Sequence, residues 1–332
     1  MTVPEFSVVV PIFNEADGLR ELHRRLCAVM DALGVWEVVY VNDGSHDATL
    51  RELQALRAAD ARIAIVNLSR NFGKEIATAA GLDHAAGEAV IVIDADLQDP
   101  PEVIPALVAG WRQGFDMVYA QRRARAGESW MKRLTAAWFY RLMEHLGRVP
   151  MPRDTGDFRL MSRRVVEALR QLREQHRFMK GLFAWVGFPS MAVPYDRAPR
   201  HAGTSKWGYW RLWNLALEGI TSFTVMPLKV ATYLGLFVAF VSVAYALVIV
   251  VKTLVLGNPV AGYPSLVTIV LFLGGVQLMT LGVIGEYLGR IFNETKQRPL
   301  YFVERYEPSE VAAVDAGGPI IALVAPTGGI AR

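Results

Sequence analysis

The sequence predicts an α/β protein whose open, mostly parallel sheet is followed by an interfacial helix and two transmembrane helices. Three observations predict it. Short β-branched runs alternate with amphipathic helical patterns from Phe6 to about Ala120, as repeated βαβ units do. Polar residues collect where those runs end, and open sheets of this kind bind ligands beyond the carboxyl ends of their strands. Val230 to Val251 and Ser265 to Ile284 each contain no charged residue. Runs of about 20 such residues suffice to cross ~30 Å of hydrocarbon as a helix.

The elements follow in order. Phe6 to Pro11 is an apolar run that reads as a buried strand, and Asp17 to Leu33 carries apolar residues at helical spacing. The same pairing recurs as Glu37–Asn42 with Ala48–Ala59, then Ile63–Leu68 with Glu75–Ala85. It recurs again as Ala89–Ile93 with Glu102–Gln113, and Met117–Ala120 reads as a fifth strand. Beyond Ala120 the rhythm breaks. Arg122–Ser129 is a basic loop, Trp130–Leu146 an amphipathic helix, Asp154–Met161 a loop entering a short strand, and Arg197–Lys206 a polar loop. Trp207, Tyr209, Trp210 and Trp213 stand just ahead of the first uncharged run. Aromatic rings favour the headgroup layer, so this segment reads as an interfacial helix; a tryptophan-rich core helix is the alternative. The expected domains are therefore an αβ domain over 1–206, an interfacial helix over 207–226, two spans over 227–290 and a tail over 291–332. Because the αβ pattern is complete before the spans, a chain ending near Phe223 is expected to fold and bind its ligand.

Composition narrows the setting. The 332 residues are 52% hydrophobic with a net charge of +3, and no basic block points to nucleic acid. The single cysteine, Cys27, allows no internal disulfide and suits a reducing compartment. Met1 to Glu5 lacks the features of a signal peptide. Lys206, Arg211 and Lys229 precede the first span and Arg290, Lys296, Arg298 and Arg305 follow the second, whereas the connection between the spans has only Lys252 at its edge. The positive-inside rule then puts the αβ domain and both termini in the cytoplasm of a multi-pass inner-membrane protein.

Asp94-Ala95-Asp96-Leu97-Gln98-Asp99 is the most informative stretch. Two carboxylates at the mouth of a buried strand can hold Mg2+ or Mn2+, hard cations that take carboxylate and diphosphate oxygens. They could equally cap the helix after Pro100-Pro101. No Gly-x-Gly-x-x-Gly follows a strand and no P-loop occurs, which disfavours a dinucleotide fold and excludes a P-loop NTPase.

Val8-Val9-Val10-Pro11-Ile12-Phe13-Asn14-Glu15, Val41-Asn42-Asp43-Gly44-Ser45, Asn71-Phe72-Gly73-Lys74 and the Asp94–Pro101 run together resemble glycosyltransferase family 2, with its Rossmann-like GT-A sheet and Asp-x-Asp motif. With the two spans, the chain is similar to polyprenyl-phosphate glycosyltransferases, the group of dolichyl-phosphate mannose synthases and bactoprenol glucosyltransferases. The likeness runs from about Phe6 to Tyr301. The Gln-x-x-Arg-Trp sequence of processive members is absent, which argues for one sugar per cycle.

The resemblance implies roles. Pro11, Phe13, Asn14, Glu15 and Asp43 would face the nucleotide, although Asp43-Gly44-Ser45 could also be only a turn. Arg70 to Lys74 would line the same pocket or form a solvated loop. Asp94 and Asp96 would hold the metal against the donor diphosphate, with Gln98 positioning sugar or acceptor. Arg122, Lys132 and Arg133 would hold the acceptor phosphate, or belong to a solvated basic patch; relatives can carry a serine where this chain has Ala137. Asp157 would act as base or orient the substrates. Arg200, Ser205 and Lys206, in Arg200-His201-Ala202-Gly203-Thr204-Ser205-Lys206, match a family loop that closes over the donor. The expected reaction is inverting transfer of one hexose, first choice glucose from UDP-glucose, to undecaprenyl phosphate in cell-envelope glycan synthesis. Mannosyl, GlcNAc and aminopentose transfer are the alternatives, and a homo-oligomer is compatible with the reading. A non-catalytic membrane scaffold and a soluble nucleotidylyltransferase are the rivals from other classes.

Overall fold

The computed structural model describes residues 4–123, 155–196, 226–256 and 262–311. Lys132, Arg133, Ala137, Arg200, Ser205 and Lys206, the tryptophan-rich segment and the tail from 312 lie outside the described residues.

Among the described residues eight strands form one sheet: β1 (Phe6–Ile12), β2 (Trp36–Asn42), β3 (Ile63–Leu68), β4 (Ala89–Val92), β5 (Met117–Arg122), β6 (Thr155–Ser162), β7 (Ser190–Tyr195) and β8 (Val303–Glu307). Their order is β7-β5-β6-β4-β1-β2-β3-β8. Every residue of β1 to β4 is buried, as the apolar runs require of strands covered on both faces. The side-chain period of two divides them between two cores. Val8, Val10, Tyr40 and Ile91 pack with α1 (Leu19–Met30), α2 (Thr49–Ala59) and α4 (Ile104–Arg112). Val9, Val39, Val41 and Val92 pack with α3 (Lys74–His84), α5 (Arg163–Gln171) and α6 (Met179–Trp185). Helix α3 lies so close to the sheet that a β-carbon at Gly81 would come within 2.2 Å of Val9 Cγ1.

The sheet is mixed rather than mostly parallel. β1–β2, β1–β4, β2–β3 and β5–β7 pair parallel, whereas β4–β6, β5–β6 and β3–β8 pair antiparallel. The short strand expected near Asp154–Met161 is an eight-residue central strand, β6, inserted between β4 and β5. Running against its neighbours, β6 begins where the parallel strands end. That reversal brings Asp157 to the carboxyl ends of β4 and β5.

A second correction concerns the segment read as tail. β8 follows the apolar helices and pairs with β3, so the sheet is not complete before them. The return is anchored beyond the strand. Ser309 is fully buried and its hydroxyl donates to the Glu37 carboxylate at 2.6 Å; Glu37 also accepts from Ser7 Oγ at 2.6 Å and from the Ala86 N–H at 2.8 Å. The Glu310 N–H donates to the Ala61 carbonyl. A chain ending near Phe223 would expose the β3 edge and leave this buried carboxylate short of a donor. Ser309→Ala is accordingly expected to cost about 1–3 kcal/mol, the penalty of an unsatisfied buried polar group, read from the denaturant midpoint.

The two uncharged runs form long helices, α7 (Met226–Leu256) and α8 (Tyr263–Thr295), which pack against each other. Among the described residues, Phe272–Thr295 is long and apolar enough to cross a membrane, and Val230–Tyr245 is a shorter apolar stretch. Large apolar side chains stand exposed on both helices, including Phe240 (74%) and Leu278 (71%). At the end of α8, Glu294 accepts the Gln175 N–H at 2.8 Å, and Tyr301 donates to Asp83 of α3 at 2.7 Å.

Candidate active site

Four strand ends and the start of β6 converge. After β1 the chain turns through Asn14 in the left-handed region (φ 55°), and its N–H donates to Ser45 Oγ at 3.0 Å. Asn14 Oδ1 accepts the His46 N–H, and the Glu15 N–H reaches Thr49 Oγ1, so the loops after β1 and β2 are stitched together. Pro11 lies within buried β1; Phe13 is exposed, its ring edge-on to His46.

The turn after β2 interlocks with the loop after β3. Asp43 is buried and accepts the N–H groups of Phe72 at 2.7 Å and Gly73 at 2.9 Å. Burial pushes its carboxyl above the usual range, while those two donors and Arg70 oppose the shift. Its first role here is to hold the Arg70–Lys74 loop. Gly44 adopts φ +65°, and a β-carbon there would fall 2.4 Å from the Arg70 carbonyl carbon. The loop held in this way delivers Lys74.

Lys74 Nζ lies 2.7 Å from Asp94 Oδ1, 2.8 Å from Asp94 Oδ2 and 2.6 Å from Asp157 Oδ2. The β4–β6 register pairs Val92 with Arg159; continued by two residues, it sets Asp94 beside Asp157. Burial would raise the Asp157 pKa, but Lys74, Lys180 and Arg159 outweigh it and hold the carboxyl down at about 2. Asp94 moves the other way: burial and the Asp157 charge raise it against the pull of Lys74. The Lys74 ammonium resists desolvation because both carboxylates favour its charge, so its pKa lies above the usual lysine value. Asp157 Oδ1 is buried and has no hydrogen-bond partner among the described residues. Asp96, two residues beyond Asp94, accepts the Gln98 N–H at 3.1 Å across Leu97, which is left-handed (φ 57°). Gln98 itself is buried.

Beneath Asp157, the buried Arg159 guanidinium stacks 3.7 Å over the Phe183 ring and donates to the Gly156 carbonyl at 2.7 Å. Burial lowers its pKa to about 10. Arg122 ends β5, and its Nε donates to Tyr195 Oη at 3.3 Å; Tyr195 in turn donates to buried Asp99. Glu75 accepts the Met179 N–H at 3.0 Å, and burial, reinforced by Asp157, raises it to about 7. A crevice of about 210 Å³ opens beside Lys74, lined also by Phe72, Ile76, Gln175 and Phe178.

Of the residues expected in the site, the structure brings Asp94, Asp96, Asp157, Gln98 and Arg122 to one end of the sheet, with Pro11, Phe13, Asn14, Glu15 and Asp43 on its β1–β2 side. Sequence reasoning left Lys74 as one member of a loop and missed Arg159, Tyr195, Asp99 and Glu75. Lys74 and Asp99 lie inside motifs visible in the sequence, Asn71-Phe72-Gly73-Lys74 and Asp94–Asp99, but neither motif indicates its partners.

Comparison with known proteins gives two matching families. Glycosyl transferase family 2 matches residues 7–170, and the GtrB C-terminal hairpin matches 226–291. An uncharacterised glycosyltransferase of Synechocystis is 56% identical over 91% of this chain and 95% of its own. An SfII prophage-derived bactoprenol glucosyl transferase of Shigella flexneri is 50% identical over 91% and 98%. A prophage bactoprenol glucosyl transferase homolog of Escherichia coli is 48% identical over 91% and 99%.

Proposed function

The chain belongs to glycosyltransferase family 2, and from that membership we propose that it moves one glucose from a nucleotide sugar, first choice UDP-glucose, to a polyprenyl phosphate. The observation that carries this reading is the likeness, at half the residues and over nine-tenths of the chain, to relatives named bactoprenol glucosyl transferase. The chain is a glycosyltransferase; the sugar and the lipid are the proposal.

The acceptor brings its own nucleophile. A phosphate monoester has its second pKa near ~6, so at neutral pH its oxygen attacks the anomeric carbon without a general base. The bond from that carbon to the donor diphosphate breaks as the bond to the lipid phosphate forms, and the configuration inverts. Asp157 suits an orienting role, because a carboxyl held at about 2 is a weak base. Arg122, held by Tyr195, is proposed to grip the acceptor phosphate, since guanidinium forks match phosphate oxygens. Lys132 and Arg133 are proposed to join it, and Arg200, Ser205 and Lys206 to close over the donor. Asp43, Asn14 and Glu15 are proposed to line the nucleotide side.

Asp94 and Asp96 would hold a divalent ion. The donor set fits: Asp94 already draws a cation, the Lys74 ammonium, and the neighbouring buried Asp157 Oδ1 has no partner among the described residues. When bound, such an ion stabilises the charge that builds on the departing diphosphate. EDTA is expected to stop transfer and added Mn2+ or Mg2+ to restore it. Asp96→Asn should remove most turnover with the melting temperature unchanged; full activity in EDTA would contradict the assignment.

The membrane enters the proposal through α7 and α8. Exposed apolar surface of this extent is expensive in water and free of cost in hydrocarbon. Both helices are proposed to span the cytoplasmic membrane, with the sheet domain on its inner face. The crevice beside Lys74 reaches Gln175, which is tied to the end of α8, and is proposed as the lipid's route to the reacting centre.

A further inference from the structure

Two asparagines sit where valine or isoleucine would be cheaper. Asn42 ends β2 and Asn67 lies in β3; they face each other across the parallel pairing and are 2% and 8% exposed. A buried amide costs free energy unless its donors and acceptor are met. These are met by one another and by the strand that returns from the apolar helices. Asn67 Nδ2 donates to Glu304 Oε2 of β8 at 2.8 Å, and Asn67 Oδ1 accepts from Asn42 Nδ2 at 2.7 Å. Asn42 Oδ1 accepts the Ser45 N–H at 3.4 Å, and Ser45 Oγ accepts the Asn14 N–H at 3.0 Å.

The order of this chain is set at both ends, because the Ser45 N–H can only donate and so fixes the Asn42 oxygen. An ionised carboxylate only accepts, so Glu304 must face the Asn67 NH2 group. The Asn67 oxygen is then turned to Asn42, whose own oxygen is thereby turned to the turn backbone. Each amide is held between its two neighbours in the chain, and the last link joins the chain to the turn after β2.

We propose that Glu304 is a positioning residue for the donor-binding turn, acting through Asn67 and Asn42. This rests on the reading that Asn14 and the Asp43–Ser45 turn face the nucleotide. It gives the strand after α8 a part in substrate binding although Glu304 touches no substrate. Seating of the apolar helices is thereby coupled to the order of the donor pocket.

The test compares polarity at one exposed position in the full-length protein. Glu304→Gln retains an acceptor oxygen, whereas Glu304→Lys offers only donors and leaves Asn67 Nδ2 without its acceptor. The lysine variant is expected to raise the KM for nucleotide sugar and the Kd for UDP roughly five- to thirtyfold, the loss of one hydrogen-bond link, with kcat within about twofold. The glutamine variant should stay within about threefold of wild type in both. Should the lysine variant fail to fold, Glu304→Ala removes the acceptor in its place. Equal effects of glutamine and lysine, or a fall in kcat at unchanged KM, would overturn the proposal. Calorimetry separates it from the functional reading: a wild type that binds no UDP overturns that reading, whereas a wild type and a Glu304→Lys that bind UDP equally overturn only the relay.

Discussion

Replacing Lys74 by methionine is expected to lower transfer by roughly 10²–10³-fold while the chain stays folded, the loss typical of removing one preorganised electrostatic contact. The ammonium bridges Asp94 and Asp157, the two carboxylates at the centre of the site. Methionine keeps the length of the side chain and removes the charge. The carboxylates then face each other with less counter-charge, and like charges at that range cannot both ionise freely. Asp157 should lose its depressed pKa and with it the fixed negative charge proposed to orient the substrates. The melting temperature is expected to fall as well, because the two carboxylates left without their cation are only 23% and 12% exposed. Steady-state transfer beside a thermal melt checks both parts. Wild-type turnover in Lys74→Met would show the bridge to be incidental.

Gly44→Val should abolish donor binding and destabilise the domain by about 2–5 kcal/mol. Two costs add: a left-handed residue with a branched β-carbon costs roughly 1–2 kcal/mol, and overpacking costs about 1–3 kcal/mol. Neither relaxes easily, because the atoms met at 2.4 and 2.5 Å are backbone of Arg70 and Asn71. Shifting that backbone pulls Phe72 and Gly73 from Asp43 and moves Lys74 with them. A chemical denaturation curve and UDP calorimetry would check it. Normal affinity in a stable Gly44→Val would mean the two loops can separate without harm.

β1 to β5 and the helices between them were legible because each βα unit announces itself locally. A valine-rich run and the amphipathic stretch after it need no distant partner to be recognised. β8 was not legible for the opposite reason. Val303-Glu304-Arg305-Tyr306-Glu307 has the charged composition of an edge strand, and only its pairing with β3, far back in the chain, makes it one. The antiparallel insertion of β6 is likewise a long-range event. The motifs exposed Asp94, Asp96 and Asp157, whose chemistry can be argued from residue type. They could not expose Arg159 or Tyr195, which matter only because β6 and β7 carry them beside Asp157 and Arg122. Lys74 lies between these cases: its motif was visible, but its bridging position depends on Asp43 holding the loop.

The most direct test of the proposed reaction is transfer of labelled glucose by the purified full-length protein. UDP-[14C]glucose and undecaprenyl phosphate are supplied with Mn2+ or Mg2+, and label is counted in the organic extract. The account predicts one glucose per lipid, β-linked, appearing only when both the lipid phosphate and the metal are present. Label that stays with the nucleotide, or leaves it as free glucose at the same rate without lipid, would contradict it.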